Sequence, residues 1–177
     1  MPIFNTCRMP ALLLLSLAGV ILIVSVASCV GPMSDHVGTP DDIQYAARLW
    51  SVLEREQMVG THAKTLKPFI GAARPHGWVL EVESGTVRLG NHSGFVVVKK
   101  NYRGDHISVA DVERNRAKYL NSISVMFKRE AGYDPEDKNW FWVQYKPDGQ
   151  LFSMRKMGMK IAMAGKIMKG ASPDKNK

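Results

Sequence analysis

Met154, Met157, Met159 and Met163 form the pattern M-x-x-M-x-M-x-x-x-M toward the C-terminal end of the chain, and clustered thioethers are the ligands that a soft ion such as Cu(I) prefers. The same pattern also suits methionine filling irregular core space along a final helix, and that plainer use is the expected one. Lys156, Lys160, Lys166 and Lys169 lie among these methionines, a cationic face that can rest on an anionic membrane or simply stay solvated. The five histidines, His36, His62, His76, His92 and His106, are scattered. None has the i, i+4 or carboxylate-paired spacing of a metal site. His76, inside Pro75-His76-Gly77, reads first as a turn histidine, with ligation as the alternative. Asp134, Glu136 and Asp137 are acidic neighbours behind an Asp-Pro turn signal and are expected to be solvated. No Ser-His-Asp order, glycine-rich phosphate loop or paired-carboxylate motif stands out.

Cys29 carries a different chemistry. Ala11 to Ala27 is an unbroken uncharged run, Arg8 is the only side-chain charge before Asp35, and the run ends in Val26-Ala27-Ser28-Cys29. That ending resembles the bacterial lipobox, in which the thiolate takes a diacylglyceryl group before cleavage. Residues 1–28 therefore read as a signal peptide and Cys29 as the lipidated N-terminus, with an uncleaved signal anchor as the alternative. Val30 follows the cysteine where inner-membrane retention favours Asp, which points toward the outer membrane. Residues 29–40, with two glycines and two prolines, read as a flexible tether. Cys7 leaves with the signal, so no free thiol remains in the exported part.

Composition narrows the classes. The chain has 177 residues, 45% of them hydrophobic and 23% charged, which suits one packed domain and excludes a disordered chain. Two cysteines exclude a disulfide scaffold and a four-cysteine zinc site. A net charge of +8 favours anionic neighbours. Nucleic acid fits that charge, but the exported address and the absence of a recognition motif argue against it.

The elements that must position these residues read as α+β. Thr39-Pro40-Asp41-Asp42 marks a helix start, with Ile43, Ala46, Ala47, Trp50 and Leu53 as its core face. Strands are expected at Trp78 to Glu83 and Thr86 to Leu89 across a Ser84-Gly85 turn, and at Phe95 to Lys99. Ser108 and Asp111 resemble a capping box opening a helix through Leu120. Ser124 to Lys128 and Trp140 to Tyr145 form two more strands, the latter ending in the turn Lys146-Pro147-Asp148-Gly149. Period-2 alternation should bury one face of the Trp140 strand and half-expose the other. Met154 to Lys169 reads as a last helix interrupted by Gly158 and Gly165.

Val125 to Gly149, VMFKREAGYDPEDKNWFWVQYKPDG, resembles the signature block of the cytochrome P-460 family, with a strand ending in Lys, a Gly-Tyr-Asp-Pro loop and an aromatic strand. The likeness extends through Tyr45 to Trp50, Pro75 to Gly77 and Val96 to Tyr102, so it covers residues 41–170 and leaves 171–177 as a polar tail. It implies an antiparallel β-sheet packed with helices, an exported location, often a homodimer, and a haem held by a C-terminal C-x-x-C-H. Enzymatic members oxidise hydroxylamine and carry a lysine crosslinked to the macrocycle; the related cytochromes c-prime beta bind nitric oxide. Lys99 or Lys100 is the position that matches the crosslinking lysine.

The sequence departs from that pattern where it matters most. No cysteine follows Cys29 and no histidine follows His106; Ala164 to Gly170, AGKIMKG, resembles the lead-in to the haem motif, and ASPDKNK follows it. The motif is lost, or the chain is truncated before it. Two thioether bonds need two thiols, so covalent haem is not expected. The expectation is a membrane-anchored lipoprotein on the periplasmic face, with a cytochrome P-460-like domain acting as a binding or interaction module. Its small-molecule ligand cannot be named from sequence. The alternatives are a hydroxylamine or nitric-oxide redox protein with non-covalent haem, and a periplasmic Cu(I)-binding protein using the methionine segment.

Overall fold

The computed structural model describes residues 37–71, 79–156 and 158–166. Cys29, His76 and Met157 lie outside them. The fold is α+β: one long helix, a six-stranded antiparallel sheet, two short helices and a separate strand pair. Among the described residues no helix is long and apolar enough to cross a membrane.

Helix α1, Pro40–Arg55, begins at a capping box in which the Thr39 hydroxyl accepts from the Asp42 amide at 3.1 Å and the Asp42 carboxylate accepts from the Thr39 amide at 3.2 Å. Val37 to Thr39, expected at the end of a flexible tether, are held to the domain, the Gly38 amide donating to the Ala164 carbonyl at 2.7 Å. The helix buries Tyr45, Ala46, Leu49, Val52 and Leu53, while Ile43 and Ala47 are exposed. The expected face was therefore rotated, because two overlapping i, i+3/i+4 sets compete and the sheet takes the one richer in aliphatic side chains. Trp50 sits at the edge of that face against Tyr145, ring centroids 4.9 Å apart. It also fixes Gly149, where a Cβ would lie 2.5 Å from Trp50 Cε2 and φ is +84°.

The strands are β1 (Phe69–Ile70), β2 (Val79–Leu89), β3 (His92–Tyr102), β4 (Leu120–Lys128), β5 (Trp140–Tyr145) and, later in the chain, β8 (Ala164–Gly165), in the sheet order β1-β2-β3-β4-β5-β8. β2 runs unbroken through Ser84-Gly85, where sequence suggested a turn; Ser84 and Gly85 pair with Val97 and Val96, and the hairpin turns at Gly90-Asn91 instead. Gly90 has φ +62°, the conformation such a tight turn requires.

Ser108 and Asp111 form the expected capping box, but the helix ends early. It divides at Asn115 into α2 (Val109–Arg114) and α3 (Arg116–Tyr119), and Leu120 already belongs to β4. The Asn115 side chain caps the second piece by accepting from the Lys118 amide, a local bond that competes with helix continuation.

The larger correction is C-terminal. Met154 to Ala162 is a strand pair, β6 (Ser153–Lys156) with β7 (Met159–Ala162), and not a helix. Gly158 at φ +79° turns the chain between them, and the β-branched Ile161 pairs with Met154. The backbone of Gln144 in β5 anchors this pair, its amide donating to Met163 and its carbonyl accepting from Phe152.

Helix α1 covers one face of the sheet. Val96, Val98, Ile123, Val125, Phe127, Phe141, Val143 and Tyr145 are buried there with Leu49 and Leu53, and the Tyr145 hydroxyl donates to the Ala46 carbonyl at 2.8 Å. Each such apolar side chain contributes about 1.5–3 kcal/mol by leaving water. Alternation in β5 thus buries Phe141, Val143 and Tyr145 and puts both Trp140 and Trp142 on the opposite, half-buried face. A smaller core of Val79, Tyr102, Ile107 and Val112 lies under α2.

Candidate functional site

The opposite face of the sheet holds a cavity of about 320 Å³. Its floor is two cross-strand rows. Register places Val82, Lys99, Ser124 and Gln144 side by side across β2 to β5, and Val97, Met126 and Trp142 side by side in the next row. One row is polar over three strands and its neighbour is apolar. Met154 from β6, Met163 from the link between β7 and β8, and Val37 from the residues before α1 complete the wall, with Lys166 at the margin.

Lys99 is the charged group of the floor. It is half-buried, and among the described residues its ammonium has neither a hydrogen-bond nor an ion-pair partner. Burial alone pushes its pKa below the ordinary lysine value. The neighbouring hydroxyl of Ser124 is held by Asn101, whose amide nitrogen lies 3.1 Å away. Trp142 adds a buried indole N–H with no acceptor among the described residues. Lys166 stands with its ammonium 5.8 Å from the centre of the Tyr133 ring. Among the described residues no acidic side chain lines the cavity.

Lys100, one residue on, points to the other face and is only 6% exposed. Glu81, 1% exposed, lies 3.8 Å from its ammonium, 2.7 Å from the Arg116 guanidinium and 2.8 Å from the Tyr102 hydroxyl. Desolvation and the hydrogen bond to Glu81 push the Tyr102 phenol well above its ordinary value. Glu83, two residues from Glu81, is raised by desolvation against the pull of Lys100 and Lys64. The contacts of Glu81 with Lys100, Arg116 and Tyr102 tie β2 and β3 to the α2–α3 segment, while Oε1 of Glu83 is buried without a hydrogen-bond partner among the described residues. Of the two lysines that sequence could not separate, only Lys99 faces the cavity.

The other expected site residues separate in space. Met154 and Met163 both line the cavity, but Met159 is 63% exposed. His62 and His106 are exposed, and His92 lies 2.9 Å from the Lys128 carbonyl with its ring edge-on to Phe127. Among the described residues no three His, Cys, Asp or Glu side chains are gathered as a metal would require. Asp134, expected in a solvated cluster, is 7% exposed because the turn closes on Asn139, whose side chain accepts from the Asp134 amide. A second aromatic-cation group lies near the α1 edge, where Arg129 is sandwiched 4.1 Å from the Tyr45 ring and 4.0 Å from the Tyr133 ring, and also pairs with Glu130.

Sequence reading missed Ser124, Gln144 and Trp142 as cavity residues. Polar side chains at period 2 in otherwise apolar strands, Ser122 and Ser124 in β4 and Gln144 in β5, are the signal that could have found them.

Comparison of the chain with protein-family models, with curated proteins and with solved structures found no match. The cavity itself must carry the functional reading. Among the described residues its lining offers haem neither a thiolate nor an imidazole; the side-chain donors are the Met154 and Met163 thioethers, the Lys99 and Lys166 amines, the Ser124 hydroxyl, the Gln144 amide and the Trp142 indole N–H. These residues do not fit a covalently attached c-type haem.

Proposed function

We propose that this chain is an exported, membrane-tethered lipoprotein whose cytochrome P-460-like domain has lost covalent haem and works as a binding module. One observation carries the reading: an apolar cavity on the sheet face away from α1, with the Lys99 amine in its floor unpaired among the described residues. A partly open pocket of this size, apolar with a few polar groups placed together, is the form that small-ligand sites take. The lipobox-like Val26 to Cys29 supports the tether, and the α+β fold with an antiparallel sheet is consistent with the P-460 likeness of Val125 to Gly149.

The test is expression of the full chain with the cytochrome c maturation machinery, followed by a denaturing gel stained for haem peroxidase. No stained band is expected at the protein's mass, and a stained band overturns the haem-free reading. In the same cells Cys29→Ser should leave unprocessed precursor.

A second reading has one observation in its favour. The fold brings Met154 and Met163 to the same cavity, and paired thioethers suit Cu(I) or a reversibly bound haem. A Soret band after haem addition, or retention of Cu(I) by the wild type and not by Met154→Leu, would favour it over the metal-free module.

A further inference from the structure

We infer that the cavity takes a single-chain aliphatic carboxylate, its head on Lys99, Ser124 and Gln144 and its chain across Val97, Met126 and Trp142. The inference rests on the binding-module reading and names its ligand class. The two rows of the floor divide the ligand into head and tail. Lys99, Ser124 and Gln144 are cross-strand neighbours that all line the cavity, so their side chains rise into it from one row of the sheet. The parallel row of Val97, Met126 and Trp142, walled by Met154 and Met163, offers a chain mainly apolar contact, the indole N–H of Trp142 being its one polar group.

Charge fixes the sign of the head. Among the described residues the floor holds one cation without a partner and no acid, so a cationic ligand is repelled and a neutral one leaves Lys99 without a counter-charge. One carboxylate matches one ammonium, and the Ser124 hydroxyl and Gln144 amide supply neutral donors for the second oxygen. Lys166 lies at the cavity margin with its ammonium 5.8 Å from the centre of the Tyr133 ring, so Lys99 is the charge within the polar row of the floor, which a monoanion matches better than a phosphate ester. At about 320 Å³ the cavity lies at the small end of ligand pockets, ~300–1000 Å³, which suits one short chain rather than a two-chain lipid.

The full chain, reconstituted in phosphatidylcholine vesicles, is treated with decanal and cyanoborohydride at neutral pH, and alkylated lysines are mapped by mass spectrometry. The amine adds to the aldehyde carbon, water leaves, and hydride from cyanoborohydride reduces the imine to a permanent secondary amine. Lys99 should be labelled ahead of exposed lysines such as Lys118 and Lys160. Decanoate should protect it at about one tenth of the concentration that decanol needs, the factor that a charge-assisted hydrogen bond supplies. Equal protection by decanol and decanoate overturns the carboxylate assignment and leaves the cavity as a binding site for neutral amphiphiles. Lys99 left unlabelled, or labelled and protected by neither, overturns the binding-module reading together with it.

Discussion

Lys99 and Lys100 are neighbours on β3 with opposite surroundings. The Lys100 ammonium is buried on the α1 face, answered by Glu81 at 3.8 Å and by the Lys64 carbonyl at 3.4 Å. Lys99 faces the cavity with nothing to answer it among the described residues. Strand alternation sends the two amines to opposite sides of one sheet, and each side has built a different environment around its charge. A buried charge with its partners specifies structure. An amine in an apolar hollow without a partner among the described residues costs stability, and the proposed ligand would supply the counter-charge.

The widest separation between the two faces should appear in Glu81→Ala, which leaves Lys100 and Arg116 uncompensated under the α2–α3 segment. Breaking a buried pair in this way costs about 3–5 kcal/mol, and urea denaturation reads it as a lower midpoint. A loss under about 1 kcal/mol would show that this network is solvated in solution.

The aromatic residues of β5 offer a graded version of the same contrast. Phe141→Ala, on the α1 face, should cost ~3–5 kcal/mol, whereas Trp142→Ala on the half-buried cavity face should cost under ~2 kcal/mol. Equal losses at the two positions would mean that another part of the protein covers the cavity face.

The smallest effect has the opposite sign. Lys99→Met should stabilise the domain at pH 7 by about 0.5 kcal/mol, since it removes a desolvated charge at a partly exposed position. The folded-state pKa of Lys99 is lowered, so its favourable contribution is present above the unfolded lysine value near 10.4 and is lost as pH falls through the folded value. The advantage of the methionine variant should therefore be largest at neutral pH and shrink as pH rises toward about 10. Paired thermal melts at pH 7 and at about pH 10 check this. A variant less stable than wild type at both would show that the amine has a partner.

Much of the inner face was legible in sequence and little of the outer one. The Thr39 N-cap, the Ser108 capping box and the Trp140–Tyr145 strand stood out because their signals are local. The face of α1 was misjudged because Ile43, Ala47 and Trp50 offer a second stripe that only contact with the sheet could reject. The β6–β7 pair was read as helix because Met and Lys are good helix formers, and tertiary pairing through Gln144 overrode that propensity. The floor of the cavity depends on register. Lys99, Ser124 and Gln144 are 25 and 20 residues apart along the chain, and nothing short of strand pairing puts them in one row. Glu81 with Lys100 and Arg116 was hidden for the same reason.

Heteronuclear NMR of the lysine side-chain amines across a pH titration, with and without decanoate, tests the central claim most directly. Lys99 should titrate below the ordinary lysine value in the free protein and move upward when decanoate supplies the missing counter-charge. A Lys99 resonance that titrates at the ordinary value, unchanged by decanoate, would contradict the account of an unpaired amine waiting in an apolar site.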